Sequence, residues 1–332
     1  MRALAYERVT DAAAARQLVA GEPDAMFLAG GTNLVDLMKL GVARPGLLVD
    51  ITGLPLDAID HRPDGTISIG ATVRNARLAA DPGIRRCAPM LSQALLAGAS
   101  GQLRSAATTA GNLLQRTRCV YFQDVSKPCN KREPESGCAA IEGAHRDLAL
   151  LGVSDACVAS HPSDMAVAMV ALDARVDITR AGGEATTIGL EDLYVAPDDA
   201  PQRETVLGPG DLITGVELPP PPVGARMTYR KVRDRWSYAF ALVSVAALVV
   251  TDEDDRIRDL RLGFGGVASR PWRARIAESR LLGTIPTGSE IRDAVRAEFE
   301  PARPLPGNAF KIELLADTVA AVLCDLTGVG DR

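Results

Sequence analysis

The stretch CVYFQDVSKPCNKREPESGC, Cys119 to Cys138, holds three cysteines among charged and turn-forming residues, and a fourth, Cys157, follows just before SHPSDMAV. Apolar side chains are scarce in it, while Pro128, Asn130, Pro134, Ser136 and Gly137 favour turns. Such a segment buries too little apolar surface to order itself. Something else must hold it, and four thiolates on a metal centre would. Nine, eight and eighteen residues separate the cysteines. None of these is the short spacing of a structural zinc knuckle. Long, irregular spacings suit a cubane cluster, whose four irons each take one thiolate from a different loop. On spacing alone an iron–sulfur cluster and zinc stand level. Disulfides rank third, because the N-terminus MRALAYERVTDAAAARQL lacks an apolar signal core. Arg118, Lys127, Lys131 and Arg132 would offset the negative charge of a cluster. Cys87 and Cys324 sit in apolar, helix-like contexts and read as buried small hydrophobes.

With 332 residues the chain is too long for one ordinary core, so two or three domains are expected. The formal net charge of −5 and the absence of a long basic run argue against nucleic acid or an anionic membrane as partner. No apolar run is long enough to span a bilayer, so the chain reads as cytosolic unless a partner carries it elsewhere.

AMFLAGGTNLVDLMKLG reads as strand, glycine turn and helix. LLVDIT and TISIGATVR read as strands, APMLSQALLAGA as a helix, and GQLRSAATTAGNLL as loop. DMAVAMVALDARVDI reads as helix then strand. The Pro- and Gly-rich region from Thr186 to Pro222 closes one domain, and MTYRKVRDRWSYAFALVSVAALVV opens a second, sheet-rich one. PWRARIAESRLLG reads as a helix with Pro271 in its first turn, and NAFKIELLADTVAAVLCDLTG as a last amphipathic helix. Regular βαβα alternation is missing, which favours α+β subdomains over a doubly wound sheet.

In LAGGTNL two glycines directly follow an apolar strand. Backbone N–H groups there can surround an anion such as a pyrophosphate, but an ordinary tight turn has the same look. GFGGVA matches G-x-G-x-x-A formally, yet no acidic strand end follows at the right distance, so a tight turn explains it. In HPSDMAV, Ser163 or Asp164 can simply cap the helix that follows. No G-x-S-x-G elbow and no H-E-x-x-H occur, and of the three histidines only His161 lies near suggestive residues.

LAGGTNL, TTAGNLL, PSDMAV, YRKVRDRWSYAFALVSVA and GGVASRPWRARIAE stand in the order found in the FAD-binding medium subunits of the xanthine dehydrogenase, or molybdenum hydroxylase, family. The chain resembles that family over essentially its whole length. The cysteine-bearing insertion, about residues 115–160, resembles the subgroup with an additional [4Fe–4S] cluster, closest to the aldehyde oxidoreductase type. The resemblance implies a vanillyl-alcohol-oxidase-type FAD-binding domain of two subdomains over residues 1–222, and a C-terminal α+β domain like that of CO dehydrogenase flavoproteins over 223–332. It implies FAD held by Ala29, Gly30, Gly31, Thr32, Asn33 and Leu34 at the diphosphate, with Thr108, Gly111 and Asn112 on a second flavin loop. Ser163 and Asp164 would meet the ribityl or adenosine part, Ile213 the ring, and Lys231 the charge of the reduced ring. Cys119, Cys129, Cys138 and Cys157 would hold the cluster.

The resemblance also implies a heterotrimer. A large subunit with molybdopterin would oxidise the substrate, and a small subunit with two [2Fe–2S] clusters would relay electrons to the FAD of this chain. No catalytic acid or base is expected here. Co-export with a partner subunit would place the complex in the periplasm, with the cytoplasm as the alternative. A zinc-stapled scaffold subunit and a stand-alone flavin oxidase remain as other readings.

Overall fold

The computed structural model describes residues 3–198 and 200–328. Strands β1 (Ala5–Arg8), β2 (Ala25–Leu28) and β3 (Leu47–Asp50) form a parallel sheet in the order β1-β3-β2. Parallel neighbours need crossovers, and two helices supply them. The first, Ala12–Gly21, starts where the Asp11 carboxylate accepts from the Ala14 N–H at 2.8 Å. The second, Leu34–Lys39, follows the glycine loop, as the sequence suggests. Val9, Ala15, Val19, Val49 and Ile51 close the core of this unit.

Strands β4 (Ile59–His61), β5 (Ile67–Gly70), β6 (Arg175–Thr179), β7 (Ala185–Gly189) and β8 (Leu212–Leu218) form an antiparallel sheet, in the order β4-β5-β8-β6-β7. Helix Pro89–Ala97 and helix Asp164–Ala171 belong to its core. All residues from Met165 to Ala171 are buried, so this helix is apolar on every side.

Strands β9 (Arg226–Val232), β10 (Val243–Thr251), β11 (Ile257–Gly265) and β12 (Trp272–Arg273) make a third, antiparallel sheet, ordered β12-β11-β10-β9. β10 faces two cores. Ala246 and Leu248 pack with helix Asp164–Ala171, while Val243, Val245, Ala247 and Val249 pack with the C-terminal helices. That double burial accounts for its unbroken apolar run. The glycines of GFGGVA also gain a reason. A Cβ on Gly263 would overlap the Val167 carbonyl, and one on Gly265 would lie 2.7 Å from a Val167 methyl. They let the buried helix sit directly on β11, and Gly266, at φ +76°, then turns the chain.

Three expectations need correction. GQLRSAATTAGNLL is not loop but two short helices, Gly101–Ala106 and Thr109–Leu113, the first begun by Ser100, whose hydroxyl accepts from the Leu103 N–H. Pro271 lies before strand β12, and the helix begins only at Arg275, because Trp272 and Arg273 pair with Phe264 and Gly263. TISIGATVR is strand only as far as Gly70. The sheets otherwise realise the expected α+β class, with no doubly wound sheet among the described residues. Among the described residues no helix is long and apolar enough to cross a membrane.

Helix Lys311–Thr327 begins with a fully buried lysine. Lys311 Nζ donates to the carbonyls of Leu148 (3.0 Å) and Gly266 (2.8 Å), tying the cysteine insertion to the C-terminal unit. Burial pushes its pKa down from 10.5 to about 8. The unfolded chain therefore holds this proton more tightly, and the group's contribution to stability rises as pH climbs from about 8 to about 10.5. Lys311→Met removes that dependence. Calorimetric melting temperatures of wild type and Lys311→Met are expected to shift by a few degrees in favour of wild type between about pH 7.5 and about pH 10.

Candidate functional site

A cavity of about 860 Å³ lies between the glycine loop, the Leu103–Gln115 segment and the end of β9. That volume suits a large organic ligand. Gly30, Gly31, Thr32, Asn33, Gly111, Asn112, Asp164 and Lys231 line it. The two loop glycines are closed to side chains for different reasons. A Cβ on Gly30 would overlap the Ala106 carbonyl, and Gly31 stands at φ +71°. Polar atoms of three lining residues are buried without a hydrogen bond: Asn33 Nδ2, Asn75 Oδ1, and Nε and Nη1 of Arg118. Buried polar groups are nearly always partnered, so the wall of this cavity is incomplete until a ligand with acceptors and a donor fills it.

The N-terminus of helix Asp164–Ala171 organises one side of the cavity. Ser163 is its cap, its hydroxyl accepting from the Ala166 N–H at 3.0 Å and donating to Asn112 Oδ1 at 2.7 Å. Gln115 Nε2 donates to the same Asn112 oxygen at 2.8 Å, which fixes the amide. The Asp164 carboxylate accepts from Lys231 Nζ at 2.7 Å and from the Tyr229 hydroxyl at 2.5 Å. Burial, and then Asp164, raises the Tyr229 pKa well above the ordinary phenol value. The Lys231 side chain is 4% exposed, so its charge is met by Asp164 rather than by solvent. The His161 imidazole accepts from the Ser163 N–H through Nδ1 at 3.3 Å and packs edge-on to Tyr194. Burial lowers its pKa to about 4, so it stays neutral.

Five of the anticipated residues do not line the cavity. Ser163 acts from behind it, through Asn112. Thr108 is buried with its Oγ1 unpartnered. Ile213 belongs to the core of the five-stranded sheet, Ala29 packs on the first sheet, and Leu34 starts a helix. Sequence reasoning missed Asn75 and Asp36, which carry no motif. It also missed the segment Arg235, Tyr238 and Phe240 as part of the wall. It read Arg118 only as a counter-charge. This side chain lines the cavity, lies 3.6 Å from Asp36 Oδ2 and sits over the Phe240 ring at 5.3 Å. Burial is the main influence on its guanidinium and works against the charge.

Beside this cavity, Cys119, Cys129, Cys138 and Cys157 line one small enclosed space of about 10 Å³, together with Phe122, Lys131 and Ala140. All four are free thiols. The insertion has little regular structure: one turn of helix at Val120–Gln123, and isolated bridges pairing Cys129 with Cys138 and Ser154 with Cys157. Leu37 and Leu305 lend apolar contacts from outside it. Burial raises the Cys119 thiol and pushes Cys157 up to about 11, so both are neutral as the side chains stand. Among the described residues, no three His, Cys, Asp or Glu side chains are grouped closely enough to hold a single metal ion.

Glu204 anchors the insertion. Its carboxylate accepts from Lys131 Nζ at 2.9 Å and from Arg116 Nε, and Lys131 also donates to the Pro201 carbonyl at 3.0 Å. Burial works to raise the Glu204 pKa, but Arg116 and Lys131 together outweigh it and hold the carboxyl below its ordinary value. This contribution is full at neutral pH and is lost as pH falls through the lowered value. Glu204→Gln is expected to cost ~1–3 kcal/mol at pH 7 in urea unfolding, and the gap to wild type should close below about pH 4.

The family profile described as "FAD binding domain in molybdopterin dehydrogenase" matches residues 2–221, and that described as "CO dehydrogenase flavoprotein C-terminal domain" matches residues 227–326. The chain therefore belongs to the FAD-binding medium subunits of the molybdenum hydroxylase family, and is an oxidoreductase subunit. It is 51% identical over 325 residues to the aldehyde oxidoreductase FAD-binding subunit PaoB of Escherichia coli K12, covering 98% of each chain. It is 28% identical over 293 residues to subunit alpha of the 6-hydroxypseudooxynicotine dehydrogenase complex of Paenarthrobacter nicotinovorans, covering 88% of this chain and 82% of that one. In fold it matches a chain of quinoline 2-oxidoreductase from Pseudomonas putida 86, with a TM-score of 0.73 over 98% of each chain at 22% identity.

Proposed function

We propose that this chain is the electron-transfer flavoprotein subunit of a molybdenum-dependent aldehyde oxidoreductase. It would hold FAD in the large cavity and a [4Fe–4S] cluster on Cys119, Cys129, Cys138 and Cys157. The observation that carries this reading is the gathering of four free thiols around one enclosed space beside the cavity, in a chain 51% identical to PaoB. Four cysteines from separate loops on one space suit a cluster whose irons each take one thiolate, and the likeness to the cluster-bearing subgroup favours it over zinc. Because burial keeps Cys119 and Cys157 protonated, deprotonation and cluster assembly go together.

The chain's own residues bind, orient and exclude water. Backbone N–H groups of Gly30 to Asn33 are assigned to the FAD diphosphate. Gly111, Asn112, Asp164 and Lys231 would line the remainder, with Ala29, Leu34, Thr108, Ser163 and Ile213 supporting them. FAD, when bound, supplies exchange between one-electron and two-electron transfer. Aldehyde oxidation belongs to a large molybdopterin subunit, and a small subunit with two [2Fe–2S] clusters supplies electrons. In this reading residues 1–222 form the FAD domain, with the cluster insertion at about 115–160, and 223–332 the C-terminal domain. Export in complex with a partner subunit to the periplasm completes it, with the cytoplasm as the alternative compartment.

The test is an absorbance scan of the purified complex, with iron, acid-labile sulfide and zinc analysis. Flavin bands are expected, with about four irons beyond those of the small subunit. Zinc in their place, or a colourless chain, would overturn the assignment. Turnover of an aldehyde by the isolated chain would favour a stand-alone oxidase instead. Gly30→Ala and Gly31→Val are expected to emerge without FAD, since the first collides with the Ala106 carbonyl and the second strains a left-handed backbone. Cys129→Ser should lose the cluster and retain only part of its FAD.

A further inference from the structure

Two consecutive residues look into two different sites. Arg118 lines the large cavity, and Cys119 lines the cysteine space. Both also line a third cavity of about 230 Å³, walled further by Ser163, Asp164 and Ser244. Arg118 is poorly partnered for a largely buried guanidinium. Its Nε and Nη1 make no hydrogen bond, and its ion-pair partner among the described residues, Asp36, is 3.6 Å away. Lys231 differs, for Asp164 lies 2.7 Å from its Nζ. Of these two cations, Arg118 keeps N–H groups to offer an anionic ligand.

The backbone on the two sides of Arg118 is held differently. Upstream, the Arg116 N–H donates to Asn33 Oδ1 at 2.8 Å, which ties the segment to the glycine loop. Downstream, the chain enters the single helical turn Val120–Gln123 of the insertion, whose Phe122 is buried. The Cys119 N–H reaches only the neighbouring Thr117 hydroxyl, at 3.2 Å. Arg132 Nη1 donates to the Tyr121 and Phe122 carbonyls at 2.9 and 2.8 Å, and next to Arg118 it is the Cys119 side chain that enters the cysteine space.

Resting on the cofactor assignment above, we propose that FAD affinity is linked to occupancy of the cysteine site through the Arg118–Cys119 pair. Binding at Cys119 sets the guanidinium in the flavin cavity, and loss of the cluster releases it. Linkage of this kind is reciprocal, so FAD in turn favours the loaded cysteine site. Two negatively charged parts of FAD can meet Arg118. The diphosphate carries its charge always. The ring gains one on taking up two electrons and one proton.

The experiment uses the full chain in its complex. Flavin and iron contents of untreated wild type come first, and absence of either overturns the cofactor assignment rather than the linkage alone. FAD dissociation constants are then measured by flavin fluorescence, before and after removal of the cluster with a chelator, in wild type and in Arg118→Gln. Cluster removal is expected to weaken FAD about tenfold in wild type and less than about twofold in Arg118→Gln, which starts about tenfold weaker. If the diphosphate is the contact, both redox states weaken equally and ADP competition falls in parallel. If the ring is the contact, only the reduced state weakens, and a tenfold loss lowers the two-electron potential by about 30 mV. Either pattern supports the proposal. Wild-type FAD affinity of Arg118→Gln in both redox states, or an equal effect of cluster removal in the two proteins, overturns it. Arg118→Lys keeps the charge without the planar fork and should fall between them, and it carries the same comparison if Arg118→Gln does not assemble.

Discussion

One helix terminus holds the candidate site together. Helix Asp164–Ala171 is buried on every side, so its first turn cannot shift without disturbing the cores around it. Ser163 caps that turn and fixes the Asn112 amide from the second loop. Asp164, one residue on, receives Lys231 and Tyr229 from β9. The two neighbouring side chains thus join the FAD-binding region to the C-terminal sheet. A charged pair kept this far from solvent is sustained by its geometry and its additional hydrogen bonds, not by ionic attraction alone.

Much of the fold was legible because its signals are local. LAGGTNL reads as strand, turn and helix by itself, and the apolar runs of β8, β10 and the buried helix stand out. Helix Gly288–Glu298 went unread, although Thr287 and Glu290 form a capping box visible as T-x-x-E. The two short helices in GQLRSAATTAGNLL were hidden by small residues, whose apolar periodicity is too faint to register. Pro271 misled because tertiary pairing of Trp272 and Arg273 with β11 overrode its preference for a helix start.

The site was legible where it rests on backbone shape and obscure where it rests on side chains gathered from a distance. Gly30 and Gly31 announce themselves, and the cysteine spacing pointed to the insertion as a held segment. Asn75 and Asp36 have no pattern that marks them, and only the folded chain brings them to one wall. Lys231 was legible as a residue near the cavity, but its pairing with Asp164 was not, since 67 positions separate the two. The insertion carries a modest apolar cluster of its own, with Leu37 and Leu305 contributed from elsewhere, so its composition understated how well it is anchored.

Strand β10 serves two masters: its even-numbered side chains Ala246, Leu248 and Val250 look toward the flavin half, while Val243, Val245, Ala247 and Val249 look toward the C-terminal helices. Neither half can be cut away cleanly. A fragment ending before β9 would leave its helix Asp164–Ala171 with a naked apolar flank, and a fragment starting there would bare the matching side of the sheet. What looks in sequence like two beads on a string is, materially, one fused block, and surgery between its parts would yield sticky, clumping pieces instead of working modules.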